Sequence, residues 1–558
     1  LIAPLLSFAQ QFKILTQLNT DARETNLSIT PNGKYLFFMT QRGEMPWSTE
    51  RKNKQKDGKT PQYDGDIWYS VKKDGEWQPP KNMSELINTA DGEDEPNVTV
   101  DGQAVYFQSW RDNWSTTGGP YYKAELNGAV WKNPVGLGDE ITRFFEEKNI
   151  VAQKVFNKEL KEKKLYDTYL VLMKENREDW REELESKGMN MDHYKLGTDG
   201  MAISPDQKTF VVSAFDPTKK KYDLFISHQD GDGRWPYPRP LDINTEHEEI
   251  SVFIAGDNKT MYFASDKPGG NGGLDIYKTT LTGGTSCGPV ENLGPPYNTE
   301  KDEYGFIVSS TENQGFMIVD GDIVQIDLDE DVSPDVLVIN GRVVDGEGNP
   351  LEASVKLMNT ETNETINITK TNTYTGEYSF SSAREEGSFN QIATTPDGLT
   401  GEAAFKVDRY TEKELNFVIV IEKPVQSKAN IVDALNKGQL QKGEIFRIDK
   451  LYFDANKATI KGESYELLDE VSDILSEKTK IVVEVGGHTN SLPPDDFCDK
   501  LSTDRAKAVY DYLVSKGIPE DRLAFRGYGK RNPIESNATL QGRKINQRVE
   551  IKILDIRD

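Results

Sequence analysis

Along roughly the first 330 residues, apolar positions come in short alternating runs separated by turn dipeptides, and the runs repeat. The segments "NTDARETNLSITPNGKYLFF" from Asn19, "NTADGEDEPNVTVDGQAVYF" from Asn88, "NTEHEEISVFIAGDNKTMYF" from Asn244 and "NTEKDEYGFIVSSTENQGFMIV" from Asn298 share an Asn-Thr and an acidic tail. A further copy, "GTDGMAISPDQKTFVV" from Gly197, lacks the Asn-Thr. Each holds two β-type runs around a turn such as Pro31-Asn32-Gly33 or Val100-Asp101-Gly102, the signature of a hairpin. A third run follows in every unit: "GDIWYS" at Gly65, "GPYYKA" at Gly119, "YDLFIS" at Tyr222, "LDIYKT" at Leu274 and "GDIVQI" at Gly321. Trp77, Trp131 and Trp235 open a fourth run in three units. Four strands per unit, at a spacing of about 50 residues, predict a five-bladed propeller over residues 10–330. The fifth unit stops after its third run, so the segment 11–20 is expected to supply the missing strand and remove two free edges.

The pattern changes inside one unit. Residues 140–193 carry no turn dipeptides and are rich in helix formers, with Val151, Val155, Phe156, Leu160, Leu165, Tyr169, Leu172 and Met173 near helical spacing. This predicts a helical insertion over one rim of the blades. Its helices either pack on their own blades or dock a partner, with Phe144, Phe145, Tyr169 and Trp180 as the candidate anchors.

An acidic stretch, "DLDEDVSPD" (327–335), follows and reads as a solvated spacer; it lacks the spaced ligands and glycine of an EF-hand calcium loop. Alternation resumes over 337–422, which predicts a β-sandwich. A second linker at 423–443 leads to a domain over 444–558. There "FRIDKLYFDANKATI" reads as a strand ending at Phe453-Asp454, and Leu467, Leu468, Val471, Ile474 and Leu475 form a helical stripe. "KIVVEV" is a buried strand, and a long helix capped by Asp496 and closed by Gly517 follows. "RLAFRGYG" and "QRVEIKIL" add two strands, giving a βαβαββ order and a mixed sheet with helices on one face. The fold class expected is therefore multidomain: an all-β propeller with a helical insertion, a β-sandwich, then an α+β domain.

The chain has 558 residues, enough for three or four domains, and a net charge of −25, which opposes binding to a phosphate backbone or an anionic lipid surface. No internal run of about 18 apolar residues exists, so no helical membrane span is expected. The start, "LIAPLLSFAQQ", reads as the end of an export signal (residues 1–9) with small residues before a cut at Gln10, or as a frayed apolar terminus. Cys287 and Cys498 lie in different predicted domains and are expected to be unpaired.

The four histidines, His193, His228, His247 and His488, form no metal-ligand spacing, and no G-x-S-x-G elbow is present, so neither a metal, a cofactor nor a catalytic residue is assigned. Arg505 is the informative residue. It flanks the stripe Ser502, Ala506, Val509 and Leu513 on the long helix, and Cys498 shares its face. A cation at the margin of a packed face needs an acceptor; its planar fork suits a carboxylate. The acceptor is either internal, Asp499 or Asp454, or a ligand.

Three resemblances add to this reading. The repeats are similar to those of TolB-type propellers. The string around Gly341-Arg342-Val343-Val344-Asp345, Gly348-Asn349-Pro350-Leu351 and Thr375–Phe380 resembles the regulatory-like domain appended to carboxypeptidases, whose zinc chemistry belongs elsewhere. The motifs "LYFDANKATI", "GGHTN", "LSTDRAKAVYDYL", "RGYGKRNPI" and "GRKINQRVEI" resemble the OmpA-like peptidoglycan-binding domain. That last resemblance implies a pocket for the diaminopimelate of the stem peptide, with Arg505 at the family's arginine and Asn490 where the family has an aspartate. It places Cys498 at a family asparagine and Phe453, Asp454, Asn456 and Thr489 at other pocket positions. Asn490 carries no charge, so an ammonium group would lose a charge-assisted partner unless Asp495 or Asp496 substitutes.

The domain order resembles PorE-type proteins of Bacteroidota, accessory to type IX secretion and gliding. It implies a periplasmic scaffold that anchors an outer-membrane complex to peptidoglycan. Two alternatives stay open: a Tol/Pal-like envelope-integrity factor, and a propeller hydrolase acting on cell-wall material.

Overall fold

In the computed structural model the described residues are 12–56, 58–127, 130–177, 179–194, 197–346, 348–396, 398–421, 426–427, 441–448, 451–454, 457–490, 494–534 and 540–557. The export-signal reading and most of the 423–443 linker lie outside them. The chain divides into two compact units, Leu1–Ile421 and Glu422–Asp558.

Five antiparallel sheets make up most of the first unit, each begun by three strands in order. The first strands are Glu24–Ile29, Glu93–Val98, Thr198–Ile203, Glu249–Ile254 and Glu303–Val308. They neighbour one another in sequence order, and the fifth neighbours the first. Short two-residue strands form the outer edges. On the fifth sheet that strand comes from the other end of the unit: Lys13–Ile14 pairs with Asp322–Asp327, Lys13 opposite Gln325 and Ile14 opposite Val324.

The Asn-Thr repeat has a physical cause. Asn88 accepts the Ile67 N–H at 2.9 Å and donates to the Ile67 carbonyl at 3.0 Å, so its amide acts as one more strand residue on the third strand of the sheet before. Asn19 does the same to Ile323, Asn244 to Leu224 and Asn298 to Ile276. The threonine that follows donates its hydroxyl to a buried glutamate at the start of the next first strand: Thr20 to Glu24, Thr89 to Glu93, Thr245 to Glu249 and Thr299 to Glu303. Only the helical insertion breaks the series, because it replaces the segment before Gly197 in which an Asn-Thr would sit.

The insertion forms helices Asp139–Glu162, Tyr166–Lys174 and Trp180–Ser186. Its proposed partner anchors face inward. Phe144 and Phe145 are buried against Trp110, Tyr121, Phe225 and Tyr237, because the helix start is inserted between the second and third sheets, where Thr142 Oγ1 donates to the Gly119 carbonyl at 2.7 Å. Tyr169 and Trp180 are half-buried around Phe156 and stack edge-on against each other at 5.8 Å. Phe144 and Phe145 thus belong to the core of the sheets, and Tyr169 and Trp180 to the insertion's own core.

The acidic stretch 327–335 is not a solvated spacer. Leu328 and Val332 are buried in the core of the fifth sheet, Tyr262 donates its hydroxyl to the Val332 carbonyl, and Lys278 to that of Asp331. Beyond it a three-stranded sheet (Glu377–Ala383, Val336–Asp345, Glu414–Ile421) and a four-stranded one (Glu364–Lys370, Ser354–Asn359, Gly387–Thr394, Thr400–Val407) enclose Val343, Val355, Leu357, Phe380 and Ile419. Ser381 Oγ donates to the Gly256 carbonyl at 2.7 Å, so this second body is docked on a turn of the fourth sheet.

In the second unit the sheet runs Gln426–Ser427, Ile445–Arg447, Val549–Ile556, Ile481–Gly487, Leu523–Gly527. Helices Tyr465–Glu477 and Asp495–Ser515 share one core with it, through Leu468, Val471, Val485, Val509, Leu513 and Ile551. The first strand ends at Arg447 rather than Asp454, since the chain turns at 454–459, where the Asp454 N–H bonds the Thr459 carbonyl at 3.0 Å. Asp496 does not cap the long helix; it lies in the first turn with Asp495, after Pro494. Gly517 closes that helix with φ +95°, and Ile518 N–H reaches back to the Leu513 carbonyl. A short helix, Leu540–Asn546, precedes the last strand.

Candidate site around Arg505

The helix Asp495–Ser515 turns Cys498, Ser502, Arg505, Ala506, Val509 and Leu513 inward. Most of that face is apolar or small, so the Arg505 guanidinium is drawn out of water. Burial pulls its pKa below the usual arginine value. Its Nε–H donates to the Lys457 carbonyl at 3.1 Å, and its carbon lies 5.0 Å from the centre of the Phe453 ring. The turn at 454–459 places both groups: the Phe453–Ile460 bridge fixes the ring and the carbonyl of Lys457 points back at the helix.

Among the described residues no carboxylate forms an ion pair with Arg505. Asp499 is taken by the fork of Arg531, at 2.7 and 2.6 Å. Asp454 lends backbone groups to the turn and makes no ion pair with the guanidinium. The two internal acceptors weighed from the sequence are thus not those of Arg505, and its terminal nitrogens donate to no described group.

The loop after strand Ile481–Gly487 brings Thr489 and Asn490 to this end of the domain. His488 N–H bonds the Arg548 carbonyl at 2.9 Å and Thr489 N–H the Gly529 carbonyl at 2.8 Å, so the loop is pinned on both sides. Thr489 and Asn490 are both buried. Cys498 is fully buried and its thiol reaches the Asn490 carbonyl at 3.6 Å. It therefore ties the Asn490 loop to the Arg505 helix and is not a pocket-lining group, which corrects its place among the expected ligand contacts. Asn456 lies outside the described residues. Asp495 pairs with Lys530 at 2.5 Å, so it is not held toward Asn490 as its substitute.

A second layer escaped the sequence reading. His488 Nε2 sits 3.0 Å from Glu550 Oε2, the other Glu550 oxygen accepts Arg548 Nε–H at 2.6 Å, and the His488 ring stacks on Tyr528 at 4.9 Å. All three charged or ionisable partners are buried. Alternation along "QRVEIKIL" puts Glu550 on the polar side of its strand; only the histidine one strand away marks that side as interior. Cys287 and Cys498 are not joined by a disulfide. Among the described residues no group of three or more His, Cys, Asp or Glu side chains is arranged as a metal cage.

Residues 452–547 match the OmpA family. This stretch is an OmpA-family domain. The chain is 42% identical over 113 residues to Outer membrane protein A of Bordetella avium, spanning 20% of this chain and 58% of that protein. It is 40% identical over 101 residues to the peptidoglycan-binding protein ArfA of Mycobacterium tuberculosis, spanning 18% of this chain and 31% of that one. The chain thus spans under two thirds of these relatives. Among solved structures, the periplasmic domain of Helicobacter pylori MotB is 25% identical with a TM-score of 0.20, covering 22% of this chain and 80% of that one. No helix among the described residues is long and apolar enough to cross a membrane.

Proposed function

We propose that this protein is a non-catalytic scaffold of the bacterial periplasm that ties an outer-membrane protein complex to peptidoglycan. The OmpA-family domain is the tether, and Arg505 is its contact with a carboxylate of the stem peptide. The observation that carries this reading is the state of the guanidinium: desolvated, braced by the Lys457 carbonyl and the Phe453 ring, and matched to no carboxylate among the described residues. A buried cation in that state calls for an anion from outside, and a fork-to-carboxylate pair is worth about 1.5–3 kcal/mol. The similarity to a peptidoglycan-binding protein supports the same ligand.

Asn490 offers a neutral amide where an ammonium group would gain from a charge, so one site is weak. A repeating polymer offsets that through avidity once several copies are held together. The five sheets with cyclically neighbouring first strands are read as a five-bladed propeller, and with the docked sandwich they supply the protein-binding surfaces. From the domain order, the complex held is read as a type IX secretion or gliding assembly; crosslinking in cells that recovers Tol components instead would replace this partner while leaving the tether.

Sedimentation with purified sacculi tests the tether. Wild type is expected to pellet, and Arg505→Ala to lose about 10- to 150-fold in affinity, the equivalent of that pair. Equal pelleting of the two proteins, with equal far-ultraviolet dichroism, would remove Arg505 from the contact.

A further inference from the structure

The repeat places one pair of acids at each of four sheet junctions. The register fixes the positions: the first strand opens with a glutamate, opposite the end of the second strand, which in turn faces the residue that opens the third. Across a junction, the third-strand aspartate of one sheet meets the first-strand glutamate of the next. The pairs are Asp322 with Glu24, Asp66 with Glu93, Asp223 with Glu249 and Asp275 with Glu303. At the remaining junction the two positions hold Pro120 and Thr198, so this acid pair is missing there.

Three of the four pairs meet a cation from within the chain. Lys56 Nζ lies 2.9 Å from Asp322 and 3.4 Å from Glu24. Arg111 lies 3.3 Å from Glu93, whose Oε1 also accepts the Ser109 hydroxyl, while Trp47 and Ser48 donate to Asp66. Lys221 bonds Asp223 and lies 3.3 Å from Glu249.

The fourth pair has lost every equivalent of these. Lys221 stands two residues before Asp223; two residues before Asp275 is Gly273. Arg42 and Arg111 stand two residues after the second-strand hydroxyls Thr40 and Ser109; in the fifth sheet those positions are Val319 and Gly321. Lys301, close by in sequence, is drawn off to Asp320. Yet Glu303 is 0% exposed and Asp275 1% exposed. Glu303 N–H bonds the carbonyl of Leu274, the residue beside Asp275, so the two acids sit side by side at the junction. Burial first, and then the Asp275 and Asp302 charges acting against two Thr299 hydrogen bonds, hold the Glu303 carboxyl above its usual range. Asp275 Oδ2 accepts Asn271 N–H at 2.8 Å and Asn292 Nδ2–H at 3.4 Å, but its Oδ1 is buried with no hydrogen-bond partner among the described residues. The glycine-rich loop 268–274 lies directly against this spot: a Cβ on Gly270 would fall 1.4 Å from Asp275 Oδ2, and one on Gly272 2.3 Å from the Lys301 carbonyl.

We propose that this junction binds a hard, oxygen-liganded cation of the calcium class, held between Asp275 Oδ1 and Glu303, in the place a lysine ammonium fills at two of the sibling junctions. Two carboxylates balance a divalent charge, and carboxylate and carbonyl oxygens are the ligands such ions take. The ion would join the fourth and fifth sheets as Lys56 joins the fifth and first.

Thermal unfolding of the chelator-stripped full chain, with and without calcium, tests this. Wild type is expected to gain about 3 °C at calcium roughly tenfold above its dissociation constant, with a smaller response to magnesium. Asp275→Asn keeps the Oδ2 acceptor and should lose the gain. Gly273→Lys returns the ammonium seen at position 221, and its Cβ meets only the movable Asp302 carboxylate. It should melt at one temperature with or without calcium. Should either variant fail to fold, hydrogen exchange on wild type decides: calcium should slow exchange across 266–275 and leave the third sheet unchanged. The proposal is overturned if wild type does not respond to calcium, if both variants respond as it does, or if exchange slows elsewhere. A melting temperature that rises only on acidification would assign the relief to a proton and overturn it as well.

Discussion

Two arginines in the OmpA-family domain are buried in opposite ways. Arg548 is answered within the chain by Glu550, whereas Arg505 meets no carboxylate among the described residues. Burial pushes the Glu550 carboxyl up, but its hydrogen bond to His488 and the charges of His488 and Arg548 outweigh that and hold it below the usual glutamate range. A depressed carboxyl contributes stability that is complete above its unfolded pKa, about 4.3, and is lost as pH falls through the lower folded value. Denaturant titrations should therefore show the domain weakening as pH drops below about 4, with that slope reduced in Glu550→Gln. At neutral pH the same substitution should cost about 3–5 kcal/mol, because it leaves Arg548 buried without a counter-charge. Arg505→Ala breaks no ion pair among the described residues and should change stability far less. Arg505 was legible in the sequence because a cation on the margin of an apolar stripe is conspicuous. Cys498 was misplaced, since a helical face says which side a residue is on but not whether it stops at a ligand or at the next loop.

At the scale of elements, the hairpins could be read because strand alternation and the Asn-Thr punctuation agree. What the punctuation does became visible only with the register. Asn88 replaces a strand residue, so Asn88→Ala should leave the buried Ile67 N–H and carbonyl unpaired and cost about 2–4 kcal/mol in chemical denaturation. The helical insertion was legible as helix, and of its two readings packing on its own blades fits the buried Phe144 and Phe145. Phe144 and Phe145 are consecutive, about 100° apart around a helix, and both are buried because the helix start is enclosed by two sheets rather than laid on one. Phe144→Ala should lower stability by about 3–5 kcal/mol, measured by urea unfolding, whereas changes at the exposed Leu170 or Val171 should stay within about 0.5 kcal/mol.

Across the first unit as a whole, the stretch 327–335 decides whether the sandwich is carried rigidly or on a leash. Its five acids hide two apolar residues four apart, and those two are what bury. Composition alone gave the wrong answer because it averages over faces. Val332→Asp should free the stretch, seen as new protease cleavage between 327 and 335 with the sheets on either side intact. The seam between Lys13–Ile14 and Asp322–Asp327 has a different consequence, for the order of events during synthesis. Asn19 and Ile323, bonded to each other there, are 304 residues apart. Bringing such distant ends together costs about 5 kcal/mol of chain entropy. During synthesis this latch must therefore wait unused until the fifth sheet has been made, so its fastening is the step that completes the five-sheet body.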